Sequence, residues 1–244
     1  MSREDDTSSE NGGSGTSTDP TAAGSSSSNP SPPVLPFAQT AFYEVSELDE
    51  ALNRVREATL RHQAEPGDPE VQRAFYESLA QMGWVTAFLD ASVPSDHETL
   101  VRIRRGLNVI ATNPTNRGTL ERFGKAWLDP GSRTNDGIVL VGTVEASETV
   151  GPYTETTMKL PGGRSVALVA EKADAPTLEA GAEIVALGAV VQQPAKRLPG
   201  YKGDAKSAVY QGLVVVTEPA APVVEEQPVE DSDPVPAPTT TDDE

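Results

Sequence analysis

The sequence predicts an α+β protein: a small helical bundle over residues 37–130, then a five-stranded β-barrel over 136–217, between two polar tails. Three observations predict it. Apolar residues recur at a spacing near 3.6 as far as Trp127 and at a spacing of 2 from Gly137 onward. Helix-start chemistry punctuates the first half, whereas Asn, Pro and Gly clusters punctuate the second. The ends, 1–36 and 218–244, are built from Ser, Thr, Gly, Pro and acids, with too little apolar surface to offset the cost of ordering a chain. They are expected to be disordered.

The first helix is SELDEALNRVREATLRHQA, with Ser46 placed as N-cap, Asp49 three residues on, and Leu48, Leu52, Val55 and Thr59 on one face. After EPG, Asp68 can cap and Pro69 suits the first position of a second helix, whose stripe is Val71, Phe75, Leu79, Met82, Thr86 and Leu89. Two helices joined so tightly form an antiparallel hairpin. Ser95 with Glu98 makes a capping box for a third helix carrying Leu100, Ile103, Leu107 and Ile110. A short fourth helix is expected around RGTLERFGKAWLD. Met82, Trp84 and Phe88 read as core.

The strands are GIVLVGTVEAS, YTETTMKL, RSVALVAEK, AEIVALGAVV and SAVYQGLVVV. The second alternates, with Thr154, Thr156, Met158 and Leu160 on one face and Tyr153, Glu155, Thr157 and Lys159 on the other, so one side is wet. The fourth and fifth are apolar on both faces, so something must cover their outer side, and the helices are the available cover. Gly142, Gly188 and Gly212 sit inside strands, where glycine weakens pairing unless the strand must bend. Bent strands are what a small closed barrel requires.

The order and glycine placement of GIVLVGTV and of GRSVALVAEKADAPTLEAGAEIVALGAVV resemble an OB-fold of the tRNA-anticodon-binding-like type, over residues 136–217. The helix usual between the third and fourth strands of that family is reduced here to ADAPTLEAG, which keeps an SH3-like barrel as the competing fold. The resemblance implies a ligand groove on the second and third strands, framed by the loops joining strands one to two and four to five. Tyr153, Thr157 and Lys159 would then face the groove, with Arg164 at the start of strand three. Lys196, Arg197, Lys202 and Lys206 would line its rim, and Tyr201 would offer a stacking surface.

Charge limits what such a groove can hold. The chain has 19 Lys and Arg against 37 Asp and Glu, a formal net charge of −18, of which residues 1–36 carry −4 and residues 218–244 carry −9. Single-stranded nucleic acid needs backbone-tracking cations and several aromatic platforms. The strand-rich half has only Tyr153, Tyr201 and Tyr210 and a net charge of −2 (seven cations, nine acids). Three readings of the basic loop stand side by side: a solvated turn whose lysines discourage edge pairing, a protein-binding rim, and a nucleic-acid rim. Arg102, Arg104 and Arg105 fall together on the third helix. They are either its wet face or a surface for an acidic partner, the chain's own C-terminal tail included. That tail is similar in outline to the tails of bacterial single-strand-binding proteins, but Asp242-Asp243-Glu244 brings no hydrophobic anchor, which makes it a self-repelling, solubilising segment.

Catalysis finds no set of residues. There is no cysteine, hence no thiolate metal site or Cys nucleophile. The two histidines, His62 and His97, lie among charges and read as surface residues. No G-x-S-x-G elbow occurs. Gly118 to Ala126 has one residue too many for a phosphate loop, with Ala126 where Ser or Thr should meet magnesium. The expectation is a non-enzymatic binding protein without metal or cofactor, its partner a protein and, in second place, single-stranded nucleic acid. With no apolar leader and no run near ~18 apolar residues, the expected address is the cytoplasm, away from membranes.

Overall fold

A computed structural model of the protein describes residues 42–129, 131, 136–173 and 175–217. The tails expected at 1–36 and 218–244 lie outside them. Four helices come first: α1 Val45–Ala64, α2 Pro69–Ala87, α3 Glu98–Thr112 and α4 Pro114–Trp127. Five strands follow: β1 Gly137–Val150, β2 Tyr153–Lys159, β3 Ser165–Glu171, β4 Glu183–Gln192 and β5 Ser207–Val216, with a single-turn helix α5 Pro194–Arg197 before the last.

Asp68 caps α2 as its sequence suggests, accepting from the Glu70 and Val71 amides with Pro69 behind it. Two other caps differ from expectation. The α1 N-cap is Glu44, not Ser46, and its backbone N–H donates to the Glu47 carboxylate at 2.7 Å in a reciprocal capping box. The α3 N-cap is His97, not Ser95: its Nδ1 accepts from the Thr99 amide, so Glu98 is already the first helical residue. The fourth helix starts earlier than expected, because Asn113 caps it and Pro114 follows.

The strands form one mixed sheet in the order β1-β2-β3-β5-β4, with β4 pairing back to β1, so that the sheet closes on itself. All ladders are antiparallel except β3 with β5, a non-local pair that brings Val169 opposite Tyr210. The β4–β5 register shifts between Leu187 and Gly188, which face Leu213 and Gln211, so Gly212 is the extra residue of a bulge that bends β5.

One hydrophobic core runs through helices and sheet, from Phe75 and Leu79 of α2 and Ile103 of α3 to Ile138, Leu140, Met158 and Leu187 of the strands. The cover required by β4 and β5 is α2, which packs on β1, β4 and β5. Glycines make room for it. A Cβ at Gly83 of α2 would stand 2.6 Å from the Ile138 carbonyl oxygen, and one at Gly212 of β5 would stand 2.5 Å from Thr86 Oγ1. The Tyr76 hydroxyl donates to the Val139 carbonyl at 2.8 Å, and Trp127 Nε1 donates to that of Gly137 at 3.0 Å, so helices and sheet are also stitched by buried polar contacts. Burial pushes the Tyr76 hydroxyl far above the usual tyrosine range.

His62 corrects its sequence reading. It is 0% exposed: the bundle closes over it, Nδ1 meets Asn116 Oδ1 at 2.9 Å, Nε2 meets Thr119 Oγ1 at 3.2 Å, and the ring stacks on Phe75 at 4.5 Å. Met82 and Phe88 are buried as expected, and Trp84 is half-buried.

Candidate functional site

The β4–β5 connection, residues 193–206, folds back over the outer face of β2 and β3. Gln193 starts it in the left-handed region (φ 54°), and Pro194 and Leu198 turn inward. Leu198 and Tyr201 then pack with Val150, Tyr153, Val169 and Ala208 in a small second core on that face. Tyr201 is 6% exposed and meets Tyr153 edge-to-face, with centroids 6.2 Å apart. Its hydroxyl donates to the Glu155 carboxylate of β2. Gly203 leaves the space for that bond, since a Cβ there would stand 2.5 Å from Glu155 Oε2. Burial, and the Glu155 carboxylate after it, hold the Tyr201 hydroxyl well above the usual tyrosine range.

The two loops that the resemblance assigns to the rims of a groove touch one another. Gly151, at the β1–β2 turn, needs its positive φ of 75°, and any Cβ there would collide with the Gly200 carbonyl oxygen. Lys202 Cγ would be 3.6 Å from the same Cβ. The face between the loops is thus filled by the chain's own Leu198 and Tyr201.

The candidate residues separate into two groups. Tyr153, Tyr201 and Lys202 gather at the turn end of β2. Lys159 stands opposite Ser165 at the other end of the ladder, six residues or about 20 Å away, with Arg164 beside it and Thr157 between. Lys159 pairs with Glu145 at 3.7 Å and Arg164 with Asp129 at 3.2 Å. Lys196, Arg197, Lys202 and Lys206 are exposed, and none has an ion-pair partner among the described residues. Of the three tyrosines, Tyr210 is engaged too: it stacks beside Phe88 with centroids 6.0 Å apart, and its hydroxyl donates to Glu171. Burial raises the Tyr153 hydroxyl as well, with Glu171 adding to it.

On the helical side, Arg102 bonds Asp49 and Thr99, and Arg104 donates to the Ser95 carbonyl at 2.6 Å. Arg105 has no such contact among the described residues. It stands on a cleft of about 510 Å³ between α1 and α3, floored by Leu52, Ile103 and Met82. Leu60 and Val109, each 67% exposed, flank it. Sequence reasoning passed over Glu155, Leu198 and this cleft. The available signal for the cleft was an apolar residue one position off the buried stripe on each of two helices.

Among the described residues no group of three or more His, Cys, Asp or Glu is placed to hold a metal, and no helix is long and apolar enough to cross a membrane. No protein-family model matches the chain, and no curated protein matches it. Solved structures similar to it include an OBody bound to hen egg-white lysozyme, at 16% identity and a TM-score of 0.27 over 34% of this chain and 83% of that one. Another is a replication protein A heterotrimer bound to single-stranded DNA, at 10% identity and a TM-score of 0.28 over 36% and 62%. A third is asparaginyl-tRNA synthetase from Pyrococcus horikoshii, at 18% identity and 0.27 over 36% and 20%.

Proposed function

We propose that this chain is a non-enzymatic, cytoplasmic binding protein: an OB-like β-barrel with a helical bundle packed on it through α2, α3 and α4, meeting an acidic protein surface through the basic β4–β5 loop. The barrel reading is supported by five strands in the order β1-β2-β3-β5-β4 with a parallel β3–β5 pair, the pattern of a Greek-key barrel of this type. One observation carries the choice of partner. All three tyrosines of the strand-rich half are already engaged by protein groups, while the loop cations are exposed and have no ion-pair partner among the described residues. Base stacking contributes about 1–3 kcal/mol per base on open aromatic platforms, and this face offers none. Exposed cations on a pinned loop suit a partner recognised by charge complementarity.

Lysine-directed cross-linking of the full chain in a native extract tests this. Lys196, Lys202 and Lys206 should cross-link to one acidic protein, and the Lys206 product should vanish in the triple variant Lys196→Ala, Arg197→Ala, Lys202→Ala. The free cations also favour a second reading, a single-stranded nucleic-acid rim reached by opening the loop. Salt-sensitive anisotropy of labelled DNA or RNA, weakened and flattened in its salt dependence by the same triple variant, would replace the first reading with the second.

A further inference from the structure

The α1–α3 cleft is a surface separate from the loop, and its chemistry is specific. Its floor is apolar, and its walls carry Leu60 on α1 and Val109 on α3, two large hydrophobic side chains left 67% exposed. Arg56 and Arg105 stand on opposite walls, both exposed, with no ion-pair partner among the described residues. The third arginine, Arg102, is occupied by Asp49. Gly106 lies in the α3 wall, where a Cβ would meet nothing within 4 Å, so the cleft is open at its middle. The wall formed by Leu52 to Gln63 is about 17 Å long at the helical rise, the span of a short extended peptide.

We propose that this cleft binds residues 222–233 of the same chain, PVVEEQPVEDSD. That segment combines the two features the cleft lacks partners for. It has three valines for Leu60 and Val109, and five acids without a cation for Arg56 and Arg105. Its tether also leaves from a strand that α3 touches. The described chain ends at Thr217, at the end of β5, and α3 packs on β5. Residues 218–221 and the start of the segment reach up to about 17 Å when extended. Tethering raises the local concentration of the segment to the millimolar range, so a contact too weak to hold between separate molecules is populated within one. The occupied cleft covers Leu60 and Val109 and neutralises the two arginines, leaving the cleft available to an outside acidic peptide only by competition.

The test uses the full chain, whose lack of cysteine makes a single Ser232→Cys a unique site for a nitroxide. Methyl signals of Leu60 and Val109 should lose most of their intensity when the label is active and regain it on reduction, while those of Val150 at the β1–β2 turn stay unchanged. Arg56→Glu with Arg105→Glu should restore the Leu60 and Val109 signals. Gly106→Leu, which fills the cleft from a position with free space, should restore the Val109 signal and leave the core signals in place. Unbroadened Leu60 and Val109 in the parent chain would overturn the proposal. So would broadening seen when a labelled chain is mixed with an isotope-labelled chain lacking the nitroxide, because the occupant would then be a second copy. Broadening that survives both variants would overturn it as well, since the cleft would not be the site.

Discussion

The Tyr201 hydroxyl, on the β4–β5 loop, donates to the Glu155 carboxylate in the middle of β2, and this bond closes the face that a ligand groove would occupy. A hydrogen bond to a charged acceptor contributes about 1.5–3 kcal/mol, here shared between loop closure and the fold. Tyr201→Phe keeps the ring against Tyr153 and removes only the bond. Amide exchange across residues 193–206 should then speed up by about tenfold, with a melting temperature lowered by only a few degrees. An unchanged exchange rate would mean that Leu198 and the Gly151–Gly200 contact hold the loop without the tyrosine.

The approach of α2 to the sheet makes glycine substitutions opposite in sign. A side chain at Gly212 would run into Thr86 and the Ala87 amide, so Gly212→Ala must push α2 off β5, an overpacking cost of about 1–3 kcal/mol. At Gly118, in α4, a Cβ meets nothing within 4 Å, and Gly118→Ala should stabilise the helix by about 0.5–1 kcal/mol. Thermal denaturation of the two variants should bracket the parent. A Gly212→Ala variant that melts with the parent would show that α2 can slide on the sheet.

Much of this arrangement is readable in the amino-acid pattern. The two-sided apolarity of β4 and β5 announces a covering layer, and Asp68-Pro69 announces where that layer, α2, begins. The strand glycines are visible as well, but their meaning is divided. Gly188 admits the β5 backbone, a Cβ there standing 2.3 Å from the Tyr210 carbonyl oxygen, whereas Gly212 is the bulged residue of β5 and also admits a helix brought in from more than a hundred residues earlier. Long-range placement is the part that local pattern does not carry. Leu198 and Tyr201 are isolated apolar residues in a polar loop, and their burial depends on the parallel β3–β5 pairing that positions the face beneath them. His62 has charged sequence neighbours, yet the Asn116 and Thr119 that enclose it come from another helix. The caps escape the sequence pattern for a smaller reason: Glu44 and His97 cap with side chains less common in that role than the serines nearby.

The buried His62 and Asn116 form a pair whose members depend on each other. His62→Phe keeps the stack on Phe75 but leaves the Asn116 carbonyl oxygen buried without a donor, at a cost of about 1–3 kcal/mol. Adding Asn116→Leu removes the stranded group. Urea unfolding of the two single variants and the double should therefore give a coupling of about 1 kcal/mol or more, the double being less destabilised than the sum. Additive losses would mean that the histidine acts only by filling space.

Arg117 of α4 binds both oxygens of Glu183, at 3.0 and 3.1 Å, and reaches Glu121 at 2.8 Å through Nε, clamping the last helix of the bundle to the first residue of β4. The hydrogen bonds from Arg117 hold the Glu183 carboxyl below the usual range, and the same contacts raise the guanidinium above its own. An ordinary glutamate titrates near 4.3 in the unfolded chain. Since the folded value is lower, the unfolded state takes up its proton first as acid is added. The stabilisation is therefore complete above about pH 5 and is lost as pH falls through the folded value. Both side chains are about one-third exposed, so screening limits the pair to about 1 kcal/mol near neutrality. Glu183→Gln should lower stability by that amount at pH 7, and its gap to the parent should narrow as pH falls below about 5. Arg117→Lys should behave similarly, because an ammonium cannot make the two-pronged contact. Urea unfolding from pH 3 to 7 measures the difference directly, and parallel curves for parent and Glu183→Gln would show that the clamp contributes nothing to folding.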